Sequence, residues 1–216
     1  MRRIRTLIVD DSATMRAVLR GMLEADHEIE VIGVARDAME ARAMIKDLNP
    51  DVVTLDLEMP GMSGLDFLDK IMTLRPMPVV IVSAQTSKGA EVTMRALQMG
   101  AFDCVGKPEL NFQDDGGSAV EELCAVVKAA ARSNVKGHVA PAITSHVHAS
   151  RPSFSPVVGG KELIAIGAST GGVEALSMVM ADWPEDCPPT FIVQHISGGF
   201  SDALARRLLA RKMFSG

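Results

Sequence analysis

Between residues 4 and 132, short apolar runs alternate with segments of helical period, and this alternation constrains the fold more than any other feature of the chain. The runs are Arg5–Val9, Glu30–Val34, Asp51–Leu55, Pro78–Val82 and Asp103–Val105. Between and after them lie Ala13–Glu24, Ala38–Leu48, Gly64–Leu74, Ala90–Met99 and Ser118–Arg132. Short Val/Ile-rich runs separated by helices of about three turns read as βα units around a parallel sheet. Pro76 and Pro78 stop the third helix ahead of the fourth strand. The predicted fold class is therefore α/β.

Residues 133–160 break the pattern. These 28 residues hold five Ser, three Pro and three of the five His, with no Asp or Glu. Such a composition reads as a linker. His138, His146 and His148 lack the ordered spacing of a metal site, so they are read as part of that linker. Periodicity resumes with a strand at Leu163–Ile166, a helix at Gly171–Met180, a strand at Thr190–Val193 and a helix at Phe200–Lys212. The domains expected are 1–132, a linker at 133–160, and 161–216 as the first part of a second doubly wound α/β domain. Two strands are too few for a parallel sheet, and a unit of roughly 60 residues buries only about 60% of its unfolded surface.

Composition removes several function classes. A net charge of −5 carries no basic footprint for nucleic acid. The apolar run Leu7–Val9 is far shorter than a signal-peptide core of about 7–15 residues, and no stretch approaches the ~18 apolar residues of a membrane span. No membrane insertion is expected. Three cysteines (Cys104, Cys124, Cys187) at wide spacing fit a reducing compartment, so a cytoplasmic protein is expected.

Open α/β sheets bind ligands beyond the carboxyl ends of their strands. Strand one ends in Asp10-Asp11, strand three in Asp56, strand four in Ser83, and strand five runs into Lys107-Pro108. Any one acid there reads as solvated, but the set in this order reads as a phosphoryl site. Three converging carboxylates need a cation. Hard oxygen donors open to water suit Mg²⁺, which then meets a phosphate. Lys107 and Ser83 can contact phosphoryl oxygens, and a carboxylate is a competent nucleophile toward phosphorus. The segments LIVDDS, DVVTLDLEMPGMSGLDFL, VVIVSAQ and GAFDCVGKP resemble the receiver domain of bacterial two-component response regulators over its full length. The resemblance implies a flavodoxin-like five-stranded parallel sheet of order 2-1-3-4-5 and phosphorylation at Asp56. It also implies Mg²⁺ ligands from Asp10, Asp11, Asp56 and the Glu58 backbone carbonyl, phosphate contacts from Ser83 and Lys107, a switch aromatic at Phe102, and a histidine kinase as phosphodonor.

In the second segment, IAIGASTGGVEAL reads as strand, tight turn and helix, with Ser169 held where unpaired helix N–H groups face outward. Such a place suits a bound phosphate or a nucleophilic serine. A dinucleotide loop would need G-x-G-x-x-G, which is absent. The hydrolase elbow G-x-S-x-G matches at Gly167–Gly171, but this serine follows the first strand of its domain. A third reading pairs Ser169 with His195, which ends the next strand. GASTGG, FIVQH and F-S-x-x-L-A-x-R-L, following a receiver and a linker, resemble the CheB family of chemotaxis protein-glutamate methylesterases.

That resemblance implies hydrolysis of glutamyl methyl esters on methyl-accepting chemoreceptors, with deamidation of receptor glutamines in many members and no cofactor for the hydrolysis. It assigns Ser169 as nucleophile, His195 as its base and Thr170 to the substrate site. It makes the receiver a cover over the esterase face that phosphorylation by a chemotaxis histidine kinase removes. Two departures stand out. Ile196-Ser197 replaces the usual Met-Pro after the histidine, and the family's third catalytic member, a downstream Asp, has no counterpart before Gly216. Asp182 and Asp186 sit in a loop before the histidine strand, and Asp202 begins a helix. A triad without its Asp loses about four orders of magnitude in rate, so these 216 residues are expected to have little esterase activity. The alternative reading is a receiver-only module whose segment after Gly160 is inert.

Overall fold

The computed structural model describes residues 2–84, 87–108, 116–133, 163–184, 187–196 and 200–213. Strands β1 (Ile4–Val9), β2 (Ile29–Ala35), β3 (Val52–Leu55), β4 (Val79–Ser83) and β5 (Asp103–Gly106) alternate with helices α1 (Ala13–Glu24), α2 (Ala38–Leu48), α3 (Gly64–Leu74), α4 (Ser87–Gln98) and α5 (Gly116–Arg132). The strands form one parallel sheet of order β2-β1-β3-β4-β5, the flavodoxin-like arrangement expected.

The strands read as continuous apolar runs because both faces of the sheet are covered. Leu7, Val9, Val53, Leu55 and Ile81 pack with α2, α3 and α4. Ile8, Val52, Val80, Val82 and Val105 pack with α1 and α5. Successive side chains thus enter opposite layers, the two-residue period of a strand. Side chains set three of the helix starts. Ser12 accepts from Met15 N, Asp37 from Glu40 N and Ser63 from Asp66 N, each satisfying a first-turn donor. Helix α4 begins three residues earlier than its apolar period indicates and stops at Gln98, before Gly100 at φ +102°. The expected linker, with His138, His146 and His148, lies outside the described residues apart from Ser133.

A second parallel pair, β6 (Ile164–Ala168) and β7 (Thr190–Gln194), is accompanied by α6 (Gly172–Ala181) and α7 (Ser201–Met213). Val173, Leu176, Phe200, Leu204 and Leu208 are buried in the same core as Met94, Ala101 and Cys104 of the first sheet's α4 layer. Arg207 Nη1 donates to the Met94 carbonyl at 3.2 Å across this contact. Along β6 and β7 burial alternates. Ile164, Ile166 and Ile192 are half-buried, while Phe191 and Val193 are 62% and 72% exposed.

Candidate functional site

Two sites emerge, one at each end of β5. The first lies at the carboxyl ends of β1, β3 and β4. Asp10 and Asp56 are each 1% exposed, and Lys107 reaches both, its Nζ 2.9 Å from Asp10 Oδ2 and 2.7 Å from Asp56 Oδ2. Local backbone holds the remaining oxygens. Ser12 N donates to Asp10 Oδ1 at 2.8 Å and Glu58 N to Asp56 Oδ1 at 3.1 Å. Burial pushes the Asp56 carboxyl above its ordinary range, against the pull of Lys107 and the Glu58 amide. For Lys107 burial acts downward, but the hydrogen bonds to Asp56 and Asp10 outweigh it and the ammonium is held up. The charge on this lysine is thus secured by the two carboxylates it neutralises.

Ligand oxygens of Asp10, Asp11 and Asp56 lie within 4.8 Å of one another. All are hard donors, and Asp11 is exposed, so a metal here would keep waters. Ser83 is fully buried and its Oγ has no hydrogen-bond partner among the described residues. A buried hydroxyl without a partner is costly, and a phosphoryl oxygen would supply one. Gly64 opens α3 against this loop. A Cβ there would lie 2.3 Å from the Asp56 carbonyl oxygen, so only glycine lets the helix start so close to the acceptor. Phe102 is half-buried against the α1–α5 layer, its amide donating to the Val79 carbonyl at 2.8 Å.

The second site is the turn from β6 into α6. Ser169, Thr170 and His195 are exposed. The backbone brings the serine turn and the histidine strand end together. His195 N donates to the Ala168 carbonyl at 2.9 Å, and Gln194 Nε2 donates to both Ser169 O (2.8 Å) and His195 O (2.9 Å). Gly171 takes φ +73°, so α6 starts one residue later than expected, at Gly172. Gly172 in turn admits the Gln194 side chain, whose Oε1 would lie 2.1 Å from an added Cβ. Gly167, read from the sequence as part of the constrained turn, has open space where its Cβ would be. The Ser169 hydroxyl and the His195 ring share no hydrogen bond among the described residues. Asp182 and Asp202 are exposed, and Asp186 lies outside the described residues.

Asp103 joins this site from the first sheet. It opens β5 and is 8% exposed. One carboxylate oxygen accepts from Cys104 N at 2.8 Å, the other from Gly171 N at 2.9 Å. Burial raises its pKa, the two amides lower it, and Glu122 and His195 act more weakly in opposite senses. Asp103 and Gln194 were not singled out from sequence. The available signals were an acid opening a buried strand in GAFDCVGKP and a glutamine directly before the histidine in FIVQH.

Residues 6–113 match the family model of the response regulator receiver domain. The chain belongs to the response regulator receiver family. Residues 164–214 match that of the CheB methylesterase, so receiver and methylesterase segment follow one another in a single chain. The chain is 53% identical over 210 residues to "protein-glutamate methylesterase/protein-glutamine glutaminase 1" of Caulobacter vibrioides, covering 96% of this chain and 59% of that protein. It is 45% identical over 208 residues to the protein-glutamate methylesterase/protein-glutamine glutaminase of Salmonella typhimurium, covering 96% and 58%. The chain therefore spans a little under three fifths of these relatives. Among solved structures, the response regulator domain of Thermotoga maritima CheB is 37% identical with a TM-score of 0.55, covering 62% of this chain and 99% of that one. The signal receiver domain of NarL from Mycobacterium tuberculosis is 27% identical at TM-score 0.52, with the same coverage. Among the described residues, no helix is long and apolar enough to cross a membrane.

Proposed function

We propose that these 216 residues are the regulatory part and the opening catalytic segment of a phosphorylation-controlled protein-glutamate methylesterase, with a receiver over 1–132, a linker over 133–160 and the catalytic segment from 161. Asp56 accepts phosphate from a chemotaxis histidine kinase. Asp10, Asp11, Asp56 and the Glu58 carbonyl would hold Mg²⁺, which would supply charge neutralisation for phosphoryl transfer, while Lys107 and Ser83 would contact the phosphoryl oxygens. Ser169 attacks glutamyl methyl esters of methyl-accepting chemoreceptors, or their glutamine amides, and His195 takes its proton. Thr170 lines the substrate site, no cofactor enters this chemistry, and the setting is the cytoplasm.

The observation that carries the reading is the Asp103–Gly171 hydrogen bond. It ties the receiver to the turn that presents Ser169, and Asp103 lies on the four-residue strand that runs into Lys107 at its other end. A phosphoryl group on Asp56 would claim Lys107, and β5 is short enough to carry that change to Asp103. Such coupling requires phosphate to favour one packing over the other. Acetyl phosphate with Mg²⁺ should accelerate amide exchange at Gly171 and along α6 in the wild type and leave the Asp56→Asn variant unchanged. Equal exchange in the two would sink the coupling. In a chain extended to the length of its relatives, methanol release from methylated receptors should vanish with Ser169→Ala.

A receiver-only signalling module is the second reading. It is favoured by the exposure of Phe191 and Val193 on the outer face of β6–β7, because parallel sheets are covered on both faces. Ser169-dependent hydrolysis by the extended chain, with Asp56 phosphorylation common to both readings, separates them.

A further inference from the structure

Helices α2 and α3 leave a groove between them. It encloses a cavity of about 360 Å³. Ile45, Phe67 and Ile71 form its buried floor. Two large apolar side chains stand at its edges almost without cover, Met39 at 82% and Leu74 at 71% exposure. Arg42 and Lys46 from α2, and Lys70 and Arg75 after them, also line it, and all four are exposed.

No acid is among the described residues that line the groove. Arg75 is committed locally, donating to the Ile45 carbonyl and the Asn49 side chain. Among the described residues, Lys70 donates to the Met62 sulfur. None of the four cations pairs with a carboxylate among the described residues, although the chain carries a net charge of −5. The acids of α3 on this side, Asp66 and Asp69, border an adjoining depression that shares Met62 and Lys70 with the groove.

We propose that the α2–α3 groove is a docking site for an acidic amphipathic helix of a partner protein. Such a helix would lay apolar anchors spaced i and i+3 or i+4 onto Ile45, Phe67 and Ile71, between Met39 and Leu74. Its flanking Glu or Asp side chains would meet Arg42, Lys46 and Lys70. Charge chooses this occupant. The chain's own residues 133–160 hold no Asp or Glu and carry Lys136 and Arg151, so they cannot supply the complement. A concave slot between two helices takes a helix ridge, whereas a lipid surface needs a flat or convex face. Met62, at one end of the groove, belongs to the loop between Asp56 and α3, which places the docking site beside the phosphorylation loop. The proposal is independent of the esterase reading.

The test uses the 216-residue protein and a fluorescein-labelled 18-residue amphipathic peptide with Leu on one face and Glu on the other. Fluorescence anisotropy should show saturable binding that weakens with added salt. Lys46→Glu/Lys70→Glu should raise the dissociation constant by roughly tenfold or more, and Met39→Ala/Leu74→Ala should weaken binding comparably. All four positions are exposed, and circular dichroism melts check that the variants fold. A scrambled peptide of the same composition, with no apolar face, should bind weaker than the amphipathic one. Absence of saturable binding, or equal affinity for the charge-reversed variant or the scrambled peptide, overturns the proposal. Capture by phosphatidylglycerol vesicles without peptide binding overturns it in favour of lipid. A concentration-dependent dimer abolished by Leu74→Asp, again without peptide binding, overturns it in favour of a second copy.

Discussion

Replacing Lys107 with methionine tests the charge balance of the acidic pocket. The substitution keeps the apolar stem and removes the ammonium that sits 2.7 and 2.9 Å from two carboxylates, each 1% exposed. At an effective dielectric of about 20, each contact is worth roughly 6 kcal/mol of attraction before desolvation. Much of that is offset by the cost of bringing the lysine out of water, so the net loss follows the behaviour of broken buried pairs, about 3–5 kcal/mol. Lys107 retains 20% exposure, which places the expectation near the lower end, about 3 kcal/mol, or on the order of 10 °C in melting temperature. Asp56 already has a pKa raised by burial. A raised folded-state pKa means the group's favourable contribution is present below the unfolded value and lost as pH rises through the folded one. The variant enlarges that raise, so its deficit is greatest at pH 8 and shrinks on acidification. Millimolar Mg²⁺ should restore more stability to the variant than to the wild type, since it substitutes for the missing charge. Urea unfolding at pH 8 and pH 5, with and without Mg²⁺, gives all four values. A variant within about 1 kcal/mol of wild type at pH 8 without metal, or one indifferent to Mg²⁺, would refute the reasoning.

Asp103 has a folded pKa raised by burial. The stability advantage of wild type over Asp103→Asn should therefore decline as pH climbs through that pKa, and a pH-independent difference in unfolding free energy would contradict it. Gly172→Ala drives a Cβ to 2.8 Å from that of Ala168 and onto the Gln194 amide. Overpacking of this kind costs about 1–3 kcal/mol, and Gln194→Ala in the same chain should recover part of it in thermal melts. Phe200→Ala removes a side chain with no exposure from the core shared by α4, α6 and α7. Such truncations cost about 3–5 kcal/mol, and hydrogen exchange should place the loss in α6 and α7 while β1–β4 amides stay protected.

The receiver was legible because its determinants are local and repetitive. Runs such as Val79–Ser83, buried on both faces, announce a parallel sheet, while the caps at Ser12, Asp37 and Ser63 came only from the structure. Asp10, Asp56, Ser83 and Lys107 could be read together because each terminates or follows a strand, and strand ends in such a sheet converge. The Asp103–Gly171 bond could not be read, since it depends on how α6 and α7 settle against α4, which no period or turn residue encodes. The role of Gln194 was hidden for a similar reason. Its amide matters only because Gly172 leaves room for it, a relation between residues 22 positions apart. The α2–α3 groove escaped because Met39 and Leu74 lie on different helices, and no helical period shows that they border the same slot.

Cys104 directly follows Asp103 on β5, and burial pushes its thiol well above the ordinary cysteine range. An alkylating reagent reacts with thiolate and needs access, so in the closed arrangement this sulfur should be silent while half-buried Cys187 is modified. Any event that lifts α6 and α7 away from β5 would expose Cys104. Its labelling half-time, set against that of Cys187 in the same tube, therefore measures how often the two parts of the chain separate, using only the cysteines it already has.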